Sequence, residues 1–89
     1  MKAIVTVVGK DRVGIIANVC NQLAAFNVNV LDISQTVMQG YFTMMMAVDT
    51  SKSEIPFAEL AKKLEAKGEE MAMSIRLQRE DIFDAMHRV

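Results

Sequence analysis

Several residue types that usually mark a function are rare in this chain. Cys20 is the only cysteine among 89 residues, which excludes an internal disulfide and a Cys-x-x-Cys motif and is typical of a reducing compartment. His87 is the only histidine, so it has no second histidine for a zinc pair and no obvious nucleophile to activate, and we interpret it as a surface residue. We therefore expect no metal, no cofactor and no enzymatic activity.

An excess of one charge and a long apolar run are also missing. Ten basic residues stand against eleven acidic ones, which gives a net charge of -1 and no basic surface for nucleic acid or an anionic membrane. No apolar stretch approaches the roughly 18 residues of a membrane span, and no small-residue cleavage site follows the apolar start of the chain. We expect a cytoplasmic protein with no nucleic-acid or membrane partner.

The overall composition of the chain is that of a folded domain. Hydrophobic residues make up 52% of the chain and charged residues 24%, with a single proline, which argues against disorder. The four glycines all fall between periodic segments, at positions 9, 14, 40 and 68. A chain of this length buries only about 60 to 65% of the surface that its unfolded form exposes, so oligomerisation would help to stabilise it.

The spacing of apolar residues predicts six elements in the order β-α-β-β-α-β. Strands are predicted at residues 2–8, 29–37, 41–49 and 71–78. Helices are predicted from two apolar stripes, Ile16, Val19, Cys20, Leu23 and Phe26 in the first and Phe57, Leu60, Ala61 and Leu64 in the second. Asn27 and Gly68 are the predicted stops of these helices, and Ser53 is the predicted cap of the second. Gln39-Gly40 predicts a hairpin turn.

Right-handed crossovers around a central hairpin convert this order into a ferredoxin-like α+β fold. We expect a βαββαβ sandwich over residues 1–80, with a four-stranded antiparallel sheet in the order 4-1-3-2 and both helices on one face. Apolar residues at positions 82, 83, 86 and 89 recur with helical spacing. Residues 81–89 are therefore predicted to form a short C-terminal amphipathic helix that packs on the domain or on a dimer partner.

The opposite face of this sheet would be open to a second copy of the chain. Its apolar residues would be either Ala3, Val5 and Val7 or Ile4 and Val8, together with Met45 and Ala47. Strand 29–37 has a mixed alternation typical of an exposed edge. A homodimer is therefore expected, formed either by edge pairing of this strand or by face-to-face packing of two sheets.

The stretch from residue 8 to residue 17 is the candidate ligand site. Gly9 and Gly14 bracket a turn between the first strand and the first helix, and Asp11 is placed to cap that helix. The first amides of a helix lack intrahelical partners and lie at the positive end of its dipole, so they suit a carboxylate. An ordinary turn and cap is the alternative interpretation. A nucleotide phosphate loop is rejected, because Ile15-Ile16 stands where a Lys-Ser/Thr pair is needed.

Four segments can be compared with known families: Gly9-Lys10-Asp11-Arg12-Val13-Gly14-Ile15-Ile16-Ala17, Leu23-Ala24, Asn27-Val28-Asn29-Val30-Leu31-Asp32-Ile33-Ser34-Gln35, and residues 42–48. In this order they resemble ACT domains, small regulatory modules that bind amino acids. The resemblance covers about residues 1–80 and is closest to small stand-alone ACT proteins, and similar to the ACT portions of glycine-cleavage regulators and formyltetrahydrofolate deformylases. Val13 and Asn27 depart from the pattern, which usually has proline at the first position and often glycine at the second.

The resemblance implies a ligand site shared by two subunits. In amino-acid-binding ACT domains the ligand lies between the first strand-to-helix loop of one subunit and the start of the second strand of its partner. Carried over, this implies ligand-binding roles for Asp11, Val13, Gly14, Ile15 and Asn29. It implies a non-catalytic sensor of a free amino acid, and the alternative is an oligomerisation or protein-docking module without a ligand.

Overall fold

The chain folds into the six predicted elements, in a computed structural model that describes residues 2–10 and 13–81. The elements are β1 (Lys2–Lys10), α1 (Ile15–Ala25), β2 (Asn29–Met38), β3 (Tyr41–Asp49), α2 (Phe57–Glu70) and β4 (Ser74–Arg79). No helix within these two ranges is long and apolar enough to cross a membrane. Asp11 lies outside the described residues, and so does the predicted C-terminal helix from residue 82 onward.

All four strands form one antiparallel sheet in the order β2-β3-β1-β4, which is the predicted order 4-1-3-2 counted from the other edge. Strand β1 pairs with β3 over its whole length, from Lys2 opposite Asp49 to Lys10 opposite Tyr41. The predicted hairpin between β2 and β3 is confirmed. Gln39 and Gly40 have φ angles of 51° and 82°, and positive φ at both central residues is what a type I′ turn requires.

Strand β2 contains one extra residue near its start. Val30 pairs with Val48 and Asp32 pairs with Ala47, so Leu31 has no pairing position of its own and forms a β-bulge. Bulges bend a strand and increase its local twist. The edge strand therefore has a short first part, followed by a regular part over residues 32–38.

The core lies between the sheet and the two helices. Its largest fully buried side chains include Leu23, Met44, Met46, Leu60, Leu64 and Ile75. Burial of one side chain of this size contributes about 1.5 to 3 kcal/mol relative to its exposure. Cys20 is half-buried and packs against this core. The methionines of β3 that point toward the helices are thus core residues.

The starts of both helices differ from the prediction. In α1 the buried residues are Ile15, Val19 and Leu23. They are four positions apart, so they lie on the one side of the helix that faces the sheet. Ile16 is not on that side and is 37% exposed. In α2 the cap position belongs to Pro56 and not to Ser53. The Ser53 hydroxyl instead accepts the N–H of Ile55 at 3.3 Å, which closes a turn before the helix begins.

Gly68 lies inside α2 and does not end it, which corrects the predicted stop. A Cβ at this position would lie 2.7 Å from the carbonyl oxygen of Met73 and 3.1 Å from the backbone nitrogen of Ile75. The glycine therefore allows α2 to approach β4 closely. The helix ends at Glu70, and Ala72 follows with a φ of 56° and donates its N–H to the carbonyl oxygen of Glu69, in a Schellman arrangement.

Both described helices pack on one face of the sheet, as predicted. Ala3, Val5 and Val7 point toward them and are fully buried. The other face carries the second of the two sets weighed from the sequence, Ile4 and Val8 on β1 with Met45 and Ala47 on β3. This face is apolar at its centre and is not covered by α1 or α2.

Candidate functional site

The loop between β1 and α1 is described from Val13 onward. Gly14 occupies the N-cap position of α1, with φ 88° and ψ 1°, a left-handed conformation that favours glycine. Its carbonyl oxygen accepts the backbone N–H and the side-chain amide of Asn18, both at 2.9 Å. The prediction that Asp11 caps α1 is wrong, because the helix begins three residues later than that cap would require.

Exposure and burial alternate sharply along this loop. Val13 is fully exposed, Gly14 is exposed, and Ile15 is 3% exposed and belongs to the core. Ile15 therefore anchors the start of the helix, while the backbone just before it faces solvent. The first turn of α1 contains no acidic side chain that would compete for the positive end of the helix dipole. The positive end of the helix dipole thus lies beside exposed backbone at Val13 and Gly14.

Asn29 lies far from this loop within one chain. Lys10, which leads into the loop, is opposite Tyr41, whereas Asn29 is opposite Asp49 at the other end of β3. Eight residue steps of about 3.4 Å separate these two ends, which is roughly 27 Å. The structure therefore brings Val13, Gly14 and Ile15 together and does not bring them to Asn29 of the same chain.

Asn29 lines an open hollow of about 470 Å³ beyond the end of the sheet. The other lining residues are Asp49, Ser51 and Lys52 after β3 and Ala24, Asn27 and Val28 at the end of α1. Two hydrogen bonds join these walls. The side-chain amide of Asn27 donates to the carbonyl oxygen of Lys52 at 3.1 Å, and the N–H of Glu54 donates to the carbonyl oxygen of Phe26 at 3.1 Å.

Asn27 has a second structural role in the wall of this hollow. It ends α1 as predicted, with a φ of 60°, and donates its N–H to Ala24 at 3.0 Å. The next residue, Val28, donates its N–H to Leu23 at 3.0 Å, which completes a Schellman motif. Because the chain turns at Asn27, both Asn27 and Asn29, the first residue of β2, line the hollow.

Asp49 is the charged residue that sequence reasoning did not find. Its Oδ1 accepts the backbone N–H of Ser51 at 2.9 Å. This bond, together with the Ser51 hydroxyl, holds the pKa of the Asp49 carboxyl below its ordinary value of 3.8. Because the pKa is lower in the folded state, the ionised carboxyl stabilises the fold at every pH above its pKa in the unfolded chain. This stabilisation is lost as the pH falls through the folded pKa, so the stability changes with pH only in the acid range.

No metal centre accompanies this arrangement in the described part of the chain. Among residues 2–10 and 13–81, no group of three His, Cys, Asp or Glu side chains is placed to hold a metal ion. The described residues therefore offer hydrogen bonds and charges. The start of α1 lies at one end of the sheet. The Asp49 carboxylate, the Lys52 ammonium and the side-chain amides of Asn27 and Asn29 lie at the other.

Comparison with known families assigns the fold. The family model for the ACT domain matches residues 2–78. The chain belongs to the ACT domain family. This ACT domain is 53% identical over 89 residues to a UPF0237 protein of Listeria innocua, and the match covers 100% of both chains. It is also similar to an ACT domain protein from Streptococcus pneumoniae, with 45% identity, a TM-score of 0.82 and 98% of each chain covered.

A solved regulatory protein has the same fold. The regulatory subunit of aspartate kinase from Thermus thermophilus, in its ligand-free form, is 25% identical with a TM-score of 0.67, over 86% of this ACT domain and 50% of that chain. The resemblance found in the sequence is thus confirmed, and with it the ferredoxin-like fold. ACT domains are regulatory ligand-binding modules, whereas the roles of the loop and of Asn29 stay predictions.

Proposed function

We propose that this ACT domain is a non-catalytic sensor that binds a free amino acid between two copies of the chain. The ligand would contact Asp11, Val13, Gly14 and Ile15 of one copy and Asn29 of the other. The observation that carries the proposal is that the loop from Val13 and the residue Asn29 lie at opposite ends of the sheet, in a chain with a long exposed edge strand. The similarity to a regulatory subunit of aspartate kinase supports it.

Strand β2 has the features of a pairing edge. In the described part of the chain, four of the eight exposed large apolar side chains lie on it, namely Leu31, Ile33, Val37 and Met38. A long strand of this kind, with unpaired backbone groups along one side, is a template for another strand. Of the two dimer arrangements considered, this favours edge pairing into an eight-stranded sheet over face-to-face packing.

Antiparallel pairing of two β2 strands would complete the site. A two-fold axis would bring the Asn29 end of one strand beside the Met38 end of the other. Met38 lies opposite Tyr41, which lies opposite Lys10, so this end of the sheet is also where the β1–α1 loop begins. Helix α1 begins at this same end, so its first amides lie there too. Each dimer would hold two equivalent sites.

The two halves of the site would recognise the two charges of an amino acid. The ligand carboxylate would accept hydrogen bonds from the amides of residues 13–15, at the positive end of α1. The ligand ammonium would donate to the Asp11 carboxylate and to Asn29. Because each charge has a partner on a different copy, the ligand would stabilise the dimer as well as the fold.

A thermal-shift screen of the twenty common amino acids, each at millimolar concentration, tests this proposal. A ligand at 100 times its dissociation constant adds about 2.7 kcal/mol, or roughly 10 to 20 °C for a domain of this size. Gly14→Val should abolish the shift by crowding the carboxylate. Ala72→Val is the matched control, since Ala72 also has a positive φ, of 56°, and is an exposed residue before β4, away from β2 and from the loop. Retention of the shift by Gly14→Val would contradict the site.

An oligomerisation or docking module without a ligand is the alternative function. It is favoured by the uncovered sheet face around Ile4 and Met45, on which we also propose that residues 82–89 pack as an amphipathic helix of the same or the other copy. If light scattering shows a dimer while no amino acid changes the melting temperature, the docking module replaces the sensor.

A further inference from the structure

We propose that Asp49 is a further ligand residue of this site, and that its carboxylate binds the ammonium group of the amino acid beside Asn29. The inference rests on the proposed function and narrows it, because it requires a ligand with an unmodified ammonium group. Neither the sequence pattern nor the family resemblance points to this residue.

The register of the sheet is the first argument. Asn29 and Asp49 are directly opposite each other across β2 and β3. Opposite residues on neighbouring antiparallel strands share a face of the sheet, with Cβ atoms about 4.5 to 5.5 Å apart. A ligand group that contacts Asn29 is therefore within reach of the Asp49 side chain.

The hollow is the second argument. Its volume of about 470 Å³ falls within the roughly 300 to 1,000 Å³ that is usual for ligand pockets. Lys52, Asn27 and Asn29 line the hollow together with Asp49, so both signs of charge and neutral donors and acceptors border one space. That combination matches a zwitterion. The hollow lies beyond the end of the sheet, where Asn29 begins the exposed edge strand.

The fixed position of the carboxylate is the third argument. The bond from Ser51 N–H to Oδ1, at 2.9 Å, orients the Asp49 side chain before any ligand binds. The same bond stabilises the charged form, because it lowers the pKa of the Asp49 carboxyl. Hydrogen bonds between two charged groups are stronger than those between neutral groups. An ammonium carries three N–H donors, so the Asp49 carboxylate and the Asn29 side-chain oxygen can both accept from it.

The substitution Asp49→Asn tests the role of the charge. Asparagine keeps an oxygen that can accept the Ser51 N–H, so the local turn is retained. Glu65→Gln is the matched control, because it removes one negative charge from an exposed position of α2, away from both the hollow and β2. For the amino acid that gives the largest shift, calorimetry should show binding about ten to a hundred times weaker in Asp49→Asn and unchanged within about twofold in Glu65→Gln.

Two further probes separate recognition of the ammonium from a general effect of charge. The N-acetyl derivative of the same amino acid should not bind the unsubstituted protein. The double variant Asn29→Asp with Asp49→Asn moves the carboxylate across the strand pair, and it should recover part of the affinity that Asp49→Asn loses. Binding of the N-acetyl derivative as tightly as the parent amino acid would overturn the inference.

The remaining outcomes distinguish the inference from the proposed function. If Asp49→Asn binds as tightly as the unsubstituted protein while Gly14→Val does not bind, the role of Asp49 is overturned and the sensor stands. If Glu65→Gln weakens binding as much as Asp49→Asn, the effect is one of net charge and the inference also fails. If no amino acid binds the unsubstituted protein, both proposals fail together.

Discussion

Strand β4, at one edge of the sheet, is six residues long, and α2 packs against it so closely that Gly68 leaves no room for a side chain. Ile75 and Leu77 on this strand are buried. Strand β2, at the other edge, is ten residues long and exposed along almost its whole length. The chain thus covers one edge strand with its own helix and leaves the other exposed, and the exposed strand is the one that pairs in the proposed dimer.

The largest effect is expected at the closed edge, from Gly68→Val. The new side chain would meet the backbone of β4, and such overpacking should lower the free energy of unfolding by about 3 kcal/mol. Urea denaturation measures the change. Ala66→Val, on the exposed side of the same helix, adds the same side chain where there is room and should cost less than about 1 kcal/mol. Equal losses in the two variants would show that α2 does not approach β4 as described.

An effect on association is expected at the open edge, from Val37→Lys. Val37 is 54% exposed, so the charge should leave the fold of one copy nearly unchanged. In the proposed dimer it would occur twice beside the pairing edge, and we expect the dimer to dissociate about tenfold more readily, or about 1.4 kcal/mol. Sedimentation equilibrium measures this. Ser74→Lys, on β4, is the control, and if it weakens the dimer as much as Val37→Lys, then β2 is not the interface.

The smallest effect is expected in the turns that adjoin the two edges. Ala72, before β4, and Gly40, after β2, have φ angles of 56° and 82°. Because only glycine adopts these angles without strain, Ala72→Gly should stabilise the fold by about 0.5 kcal/mol and Gly40→Ala should destabilise it by about 1 kcal/mol. Thermal melting should show shifts of opposite sign. Shifts of the same sign would contradict the left-handed conformation at one of the two positions.

The order of elements and strands could be predicted because apolar spacing and turn residues agreed in most of the chain. Asn27 and Gly40 are residue types that tolerate positive φ, so the ends of α1 and the hairpin were visible in the sequence. Ala72 carries no such signal, and the end of α2 was therefore placed too early, at Gly68. The role of Gly68 depends on the distance between a helix and a strand, which no local pattern encodes.

The candidate site was predictable only in part. The loop at Gly14 and the position of Asn29 followed from the family resemblance. Asp49 did not, because a two-residue turn at Gln39-Gly40 would set Asn29 opposite Thr50, and the bulge at Leu31 moves it opposite Asp49. A change of one position alters which side chains share a face of the sheet. The bulge is a property of the assembled sheet, so sequence alone gave no reason to pair these two residues.

The bulge at Leu31 also determines which residues of two β2 strands could pair in the proposed dimer, and therefore how large an assembly of these chains can become. A regular ladder between two β2 strands is available only over residues 32–38, so the symmetric register has its axis at Gln35. Such a pair would bury the β2 edge of both copies, because a two-fold interface uses the same surface from each copy. The edges that remain outermost are the two β4 strands, which are short and each packed against α2. In this arrangement we expect assembly to stop at the dimer. The protein should then form no filaments at concentrations where a sheet with an exposed long edge would.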